Sequence, residues 1–197
     1  MTSRPVTNRI VLLIYGRKFF DTKRAQKLDN AGRIKDLRPQ ELFKDVAGIN
    51  TGNICVDFGS GTGIFALPMA KLAGSKGKVY AIDSSVEILA YIKAKNPPSN
   101  LVLVQSDVER TGLDSQIADI CLLAFILHEV KEPARVIAEA IRLLKSNGRL
   151  VIVEWKAELD SPGPPQGKRI SREQIGRWFR QVDLNLERYI DWSHNNT

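Results

Sequence analysis

The stretch Asn53-Ile54-Cys55-Val56-Asp57-Phe58-Gly59-Ser60-Gly61-Thr62-Gly63 decides how this chain is read. A buried apolar strand ends in an aspartate and runs into three alternating glycines. A helix-forming stretch, Ile64-Phe65-Ala66-Leu67-Pro68-Met69-Ala70-Lys71-Leu72, follows. Glycines at a strand-to-helix turn let a ligand approach the backbone where a side chain would block it. A nucleotide-type ligand at the mouth of a parallel sheet is the usual beneficiary. The spacing here is G-x-G-x-G, whereas a dinucleotide fingerprint is G-x-G-x-x-G, with a third glycine for close helix packing. Ile64 occupies the place where that glycine is wanted, which disfavours a nicotinamide oxidoreductase.

Two more acids follow at matching places. The run Lys78-Val79-Tyr80-Ala81-Ile82 reads as a strand and ends at Asp83, 20 residues after Gly63. An acid there can accept hydrogen bonds from ribose hydroxyls. Asp83-Ser84-Ser85 also suits the cap of the helix predicted over Val86–Lys95, and both roles are compatible. A third strand, Leu101-Val102-Leu103-Val104, leads to Gln105-Ser106-Asp107-Val108. Asp107 alone would be an ordinary loop residue. Asp57, Asp83 and Asp107 at the carboxyl ends of three successive strands mark where open α/β sheets bind ligands.

Strands alternate with helices from residue 53 onward, which predicts an α/β, doubly wound, mostly parallel sheet. Asp119–Ala124 reads as the fourth strand. A helix starts near Glu132-Pro133, with proline suited to a first turn. It runs to Lys145 and packs through Val136, Ile137, Ala140, Ile141 and Leu144. Ser146-Asn147-Gly148 reads as its stop, and Arg149–Trp155 as the fifth strand. A rigid loop, Ser161-Pro162-Gly163-Pro164-Pro165, precedes a helix capped by Ser171 and ending around Val182. A final strand is predicted over Leu184–Trp192.

The glycine turn with Asp57 resembles motif I of the class I S-adenosylmethionine-dependent methyltransferases. The order of motifs is similar to that of the small members related to the ubiquinone/menaquinone C-methyltransferase group. Further phrases resemble a prokaryotic subgroup: Phe20-Asp21, Lys27-Leu28-Asp29 and Arg33, then Ala124-Phe125-Ile126-Leu127-His128-Glu129-Val130, Ile152-Val153-Glu154-Trp155-Lys156, Gly163-Pro164-Pro165 and Arg169-Ile170-Ser171. The resemblance implies a Rossmann-like methyltransferase sheet and S-adenosyl-L-methionine as cofactor. It implies that Asp57, Gly59, Ser60, Gly61, Gly63, Asp83, Ser84, Asp107, Val108 and Ala124 hold that cofactor. In it the Asp107 carboxylate takes the adenine amino group and the Val108 N–H a ring nitrogen. The family normally ends with two antiparallel strands, the last inserted between the fifth and the sixth. Only one is legible here before Ser193-His194-Asn195-Asn196-Thr197, so the C-terminal hairpin is expected to be incomplete. An unpaired edge there would invite another chain.

The chain has 197 residues and a net charge of +7. Residues 1–50 hold eleven Lys/Arg against five Asp/Glu. The basic excess therefore belongs to the N-terminal segment, where it suits an anionic substrate, nucleic acid, membrane lipid or plain solubility. The expected division is a basic helical cap or lid over 1–50 and an S-adenosylmethionine-binding domain over 51–197. Phe20 and Arg33 belong to that lid by resemblance. The apolar run Ile10-Val11-Leu12-Leu13-Ile14-Tyr15 is too short for a signal core or a membrane span, and the expected location is cytoplasmic. Cys55 and Cys121 sit in apolar strands and read as buried reduced thiols. His128 and His194 are far apart and no metal spacing is present.

Methyl transfer from a sulfonium is an in-line displacement that asks mainly for alignment and exclusion of water. A base is needed only where the acceptor must first lose a proton. His128 and Glu129 are the candidates for such an acid/base element, with a structural histidine at a helix start as the alternative. Glu154 and Trp155 are candidates to line the acceptor pocket, and Arg169 to clamp an anionic acceptor. Trp155 packed under the proline loop and a solvated Arg169 are the plainer alternatives. The acceptor expected is a small molecule. An RNA methyltransferase that uses the basic N-terminal segment, or a non-catalytic cofactor- or partner-binding protein, are the other readings. Asn96-Pro97-Pro98 resembles an amino-methylating element but lies before the third strand and is followed by Ser99. No cysteine lies in a loop, as a cytosine-C5 mechanism would need.

Overall fold

The structure, a computed structural model, describes residues 9–15, 34–35, 37–157, 164–182, 184 and 186–192. The strands are β1 (Arg9–Tyr15), β2 (Ile54–Phe58), β3 (Lys78–Asp83), β4 (Leu101–Gln105), β5 (Ala118–Ala124), β6 (Leu144–Trp155) and β7 (Arg188–Asp191). They form one sheet in the order β4-β3-β2-β5-β6-β1-β7. Every pairing in it is parallel.

The helices cover both faces, as a parallel sheet requires. A short helix α1 (Pro39–Glu41) runs into a wide π-helical turn over Leu42–Ala47. With α2 (Ala66–Ala73) and α3 (Val86–Ala94) it packs on the face that carries Cys55, Val79, Ala81, Ile120, Leu122, Val151 and Val153. The opposite face, with Val56, Phe58, Cys121, Leu123 and Ile152, receives α4 (Pro133–Leu143) and α5 (Arg172–Gln181). Alternate residues of each strand feed opposite cores, which is why the strands read as unbroken apolar runs. Both cysteines are buried, and burial pushes the Cys55 thiol up to about 12 and that of Cys121 well up.

Most expected elements fall where the pattern placed them. α4 buries Val136, Ile137 and Ala140 and ends at Leu143. Ser146-Asn147-Gly148 does not separate it from a strand but lies inside β6. The register against β5 jumps there, with Ala118 opposite Leu144 and Ile120 opposite Arg149. The turn signal is spent on a bulge. Ser171 caps α5 by accepting from Gln174 N–H at 3.1 Å.

The two chain ends depart from expectation. Residues 9–15, assigned to a helical cap over 1–50, form β1, and it is not a surface element. It lies between β6 and β7, with Leu12 opposite Ile152 on one side and Tyr189 on the other. Ile10 and Leu12 are wholly buried. An apolar run of this length is what a fully buried parallel strand demands. The expected final strand shrinks to Arg188–Asp191 and pairs with β1 instead of β6. The place that the resemblance gives to an antiparallel last strand is thus filled by the N-terminal strand, in parallel sense. Phe20, Arg33 and 193–197 lie outside the described residues, as does the Ser161-Pro162-Gly163 part of the loop. No helix among the described residues is long and apolar enough to cross a membrane.

Candidate functional site

The glycine turn leaves β2 in left-handed backbone. Gly59 has φ +65° and Gly61 φ +52°, angles that L side chains rarely adopt. A Cβ on Gly59 would stand 2.7 Å from Ile126 Cδ1, whereas a Cβ on Gly61 would meet nothing nearer than Gly59 O at 4.0 Å. The space over Gly61 is open, and only a missing side chain keeps it so. Ser60 N–H donates to Ile82 O at 2.8 Å, which ties the turn to β3.

Asp83 organises this turn from the end of β3. Its Oδ2 accepts from Gly61 N–H at 3.0 Å and its Oδ1 from Ser85 N–H at 3.0 Å. Ser85, not Ser84, caps α3, accepting from Ile88 N–H at 3.2 Å. Ser84 is left to face the cleft. On the far side Asp107 Oδ1 accepts from Glu109 N–H at 2.8 Å, which folds the turn after β4. Lys95, at the end of α3, donates to Thr62 O at 2.7 Å and braces the glycine turn from behind.

These turns enclose a cleft of about 460 Å³ lined by Gly59, Asp83, Ser84, Asp107, Val108, Glu109, Ile126, Glu129, Val130 and Lys131. Five expected cofactor residues therefore line one cavity at the carboxyl ends of β2, β3 and β4. Asp57, Ser60, Gly61, Gly63 and Ala124 are not part of the lining. Asp57 and Ser60 are buried directly behind it, and Asp57 Oδ2 and Ser60 Oγ have no hydrogen-bond partner. Buried polar atoms are almost always paired, so these two orphans mark a place for a ligand donor or water. Burial, then the charge of Asp83, raises the Asp57 pKa to about 8, while the Ala66 N–H at the start of α2 works in the opposite direction. A cationic group beside Asp57 would reverse that shift. The orphaned acid, the open backbone over Gly61 and two strand-end carboxylates fit S-adenosylmethionine, which carries an ammonium, a ribose and an adenine.

The acid/base candidates are brought together with a third group. His128 Nδ1 is 2.9 Å from Glu154 Oε2, and its Nε2 is 3.2 Å from Glu129 Oε1. The His128 ring is almost fully buried and does not line the cleft; Glu129 does.

The acceptor candidates Glu154, Trp155 and Arg169 do not line the cleft. Glu154 is wholly buried on the α4/α5 face, where its Oε1 accepts from Leu127 N–H at 3.0 Å. It supports the turn after β5 and has no surface to offer an acceptor. Trp155 is buried against Phe125, with ring centroids 5.0 Å apart. Arg169 donates through Nε to Pro164 O at 3.0 Å and through Nη1 to Lys156 O at 3.1 Å. These bonds tie its loop to the end of β6. Glu109, Ile126, Val130 and Lys131 were not singled out from the sequence. Each follows β4 or β5 within a few residues, and the strand-end rule that found Asp107 would have found them.

Residues 56–152 match the family model described as a methyltransferase domain. The ubiquinone/menaquinone biosynthesis C-methyltransferase of Pseudomonas fluorescens is 30% identical over 115 residues, 56% of this chain and 45% of that protein. The 2-phytyl-1,4-naphtoquinone methyltransferase of Trichormus variabilis is 27% identical over 147 residues, 71% of this chain and 64% of that protein. The chain spans about half the length of the first curated relatives it matches. A crystal structure of a S-adenosylmethionine-dependent methyltransferase from Aquifex aeolicus superimposes with a TM-score of 0.75 at 30% identity. It covers 83% of this chain and 88% of its own.

Proposed function

This chain belongs to the class I S-adenosylmethionine-dependent methyltransferases, and from that membership we propose that it transfers a methyl group to a small-molecule acceptor in the cytoplasm. The observation that carries the reading is the 460 Å³ cleft with Asp83 and Asp107 at its rim and the orphaned Asp57 Oδ2 behind it. The cofactor supplies an electrophilic methyl on a sulfonium whose leaving group departs uncharged.

The chain's own residues align and shield. Asp83 accepts from ribose hydroxyls while still holding Gly61 in place. Asp107 and the Val108 N–H read the adenine edge. Asp57 faces the ammonium end through the glycine turn. His128 and Glu129 supply the acid/base element, with Glu129 the member at the cleft. The named activities of the quinone-pathway relatives point to an aromatic acceptor.

Calorimetric titration of S-adenosylmethionine, and separately NADH, into wild type and Asp83→Ala tests the reading. Losing hydrogen bonds to a charged carboxylate costs about 1.5–3 kcal/mol, roughly tenfold to a hundredfold in affinity. Binding of S-adenosylmethionine that weakens by that amount supports the site and starts an acceptor screen. No binding by the wild type moves the chain to a partner-binding role. RNA that binds with a steep salt dependence would shift the acceptor to nucleic acid.

A further inference from the structure

We propose that Glu154, His128 and Glu129 work as one chain of paired groups, in which buried Glu154 keeps the His128 ring a cation and that cation holds the Glu129 carboxylate in place at the cleft. Glu154 is then a positioning residue, one that acts on bound ligand only through its neighbours.

The geometry starts at the penultimate residue of β6. Glu154 is wholly buried, yet its carboxylate is satisfied on both oxygens. Oε1 accepts from Leu127 N–H at 3.0 Å; Oε2 lies 2.9 Å from His128 Nδ1 and accepts from Trp155 N–H at 3.3 Å. On the other side of the ring, Nε2 stands 3.2 Å from Glu129 Oε1. An ionised carboxylate can only accept, so a ring nitrogen bonded to one must donate. An imidazole that donates from both nitrogens is an imidazolium. A buried carboxylate also needs a counter-charge, since an unpaired one is very costly.

The charged groups that face His128 are Glu154 from β6 and Glu129 from its own turn. Burial alone would lower the His128 pKa. The hydrogen bond and charge of Glu154, joined by those of Glu129, overcome it and raise the pKa. The surrounding backbone is shaped to the same end. Phe125 starts the turn in left-handed backbone, φ +55°, and donates to Val153 O at 2.8 Å. This sets residues 126–129 beside the end of β6.

Two consequences distinguish this from a histidine base. A ring already doubly protonated cannot take a proton from an acceptor, so any proton released in the cleft goes to Glu129. The cleft also stays anionic: Asp83, Asp107, Glu109 and Glu129 line it against Lys131. That field favours a positively charged sulfonium ligand over its uncharged thioether product. This second consequence rests on the cleft being the cofactor site; the state of the ring does not.

The first test is therefore made without cofactor. The chain has two histidines, so His128→Gln assigns the ring signals by loss. Nitrogen-15 NMR titration of the full chain is expected to show His128 doubly protonated at pH 7. Glu154→Gln should lower its midpoint by about one pH unit or more, and Glu129→Gln by less. Glu129 is exposed, so the Glu129→Gln arm remains readable even where Glu154→Gln does not fold. A neutral His128 ring at pH 7 in the wild type, or a midpoint unmoved in the folded variants, overturns the proposal.

The second test is calorimetry at pH 7.5 with S-adenosylmethionine and S-adenosylhomocysteine. Glu129→Gln should bind S-adenosylmethionine about fivefold to tenfold more weakly, with a smaller change for S-adenosylhomocysteine, whereas Glu154→Gln, which removes a negative charge and the ring's positive charge together, should bind it no more weakly than the wild type. The double variant should bind no more weakly than the weaker single, because the residues act in series. Losses that multiply in the double variant would instead mean that Glu154 has a merely structural effect. If the wild type binds neither compound, the cofactor reading falls, while the ring titration still decides the chain of residues.

Discussion

The sheet has two halves that were assembled by different rules. On one side, β4, β3, β2 and β5 follow one another closely in sequence, and each ends in a turn that lines or backs the cleft. On the other, β6 is joined to the N-terminal β1 and β1 in turn to the C-terminal β7, pairings between residues more than a hundred positions apart. The first half carries the cleft, and there the buried Asp57 Oδ2 and Ser60 Oγ are left unpaired. The second half carries no cleft residue and is closed by clasps: Trp192 Nε1 donates to Leu37 O at 3.0 Å, and Lys156 Nζ lies 2.6 Å from Asp191 Oδ2. The difference teaches that this fold keeps its unpaired polar atoms at the cleft and its clasps at the edge.

The sharpest way to break that comparison is to remove β1 from the sheet. Leu12 is wholly buried in a strand bonded on both sides. Proline there deletes a ladder hydrogen bond and cannot be fitted centrally. Leu12→Pro is expected to cost on the order of 4 kcal/mol or more, read as a lower midpoint in urea unfolding. A loss under about 1 kcal/mol would mean that β7 and β6 hold together without β1, and that the second half is not a unit.

Asp57→Asn should have the opposite sign in the first half. The folded pKa of Asp57, about 8, lies above the ordinary value of 3.8. Between those values the folded state binds more protons than the unfolded state, so stability falls as pH rises from about 4 to about 8. The asparagine has no charge to bury. It should gain on the order of 5 kcal/mol over the wild type at pH 9 and almost nothing at pH 4. S-adenosylmethionine binding should weaken about tenfold in the same variant, since a neutral amide attracts an ammonium less. Equal stabilities at both pH values would show that Asp57 is not left unpaired.

Glu139 shows the cleft half borrowing ordinary stability. It accepts from Thr111 N–H at 2.9 Å, Thr111 Oγ1 at 2.7 Å and Arg142 Nε at 2.7 Å. That set fastens the segment after β4, which carries Asp107 and Val108, to α4. The Arg142 hydrogen bond holds the Glu139 pKa down at about 2, against a smaller opposing effect of burial. A depressed carboxylate contributes stability that is present above about 4.5 and is lost as pH falls towards 2. Glu139→Gln should therefore cost about 2 kcal/mol at pH 7, discounted because Arg142 is partly exposed, and nothing at pH 2. A cost that persists unchanged at pH 2 would assign the effect to packing.

How much of this could be read in advance follows the same division. β2, β3 and β4, the caps Ser85 and Ser171, and the five residues Gly59, Asp83, Ser84, Asp107 and Val108 carried local signals. Glycine at a tight turn, an acid after an apolar run and serine before a helix each act within a few residues. β1 carried only an apolar run, which reads alike for a strand, a short buried helix or a leader. Its partners are set by tertiary packing, so nothing near it in sequence could announce them. Glu154 and Trp155, which are buried and do not line the cleft, could not be placed from sequence for a related reason. The end of a strand points alternately to both faces, and only the packed molecule shows that Glu154 turns inward to His128 and Leu127.

The smallest effect tests whether the clasp is structural alone. Trp192 is buried, its indole N–H donates to the buried Leu37 backbone, and the Arg38 guanidinium sits 4.5 Å from its ring centroid. Trp192→Phe keeps an aromatic face for Arg38 but leaves Leu37 O without its donor. The hydrogen bond is worth about 1 kcal/mol, with a further fraction from the smaller ring. Thermal unfolding should report that loss, while S-adenosylmethionine affinity stays within about twofold, because no residue of β1, β7 or the clasp lines the cleft. A drop in affinity as large as that of Asp57→Asn would mean that the edge half reaches the site through β6, and the two halves would then have to be treated as one cooperative unit.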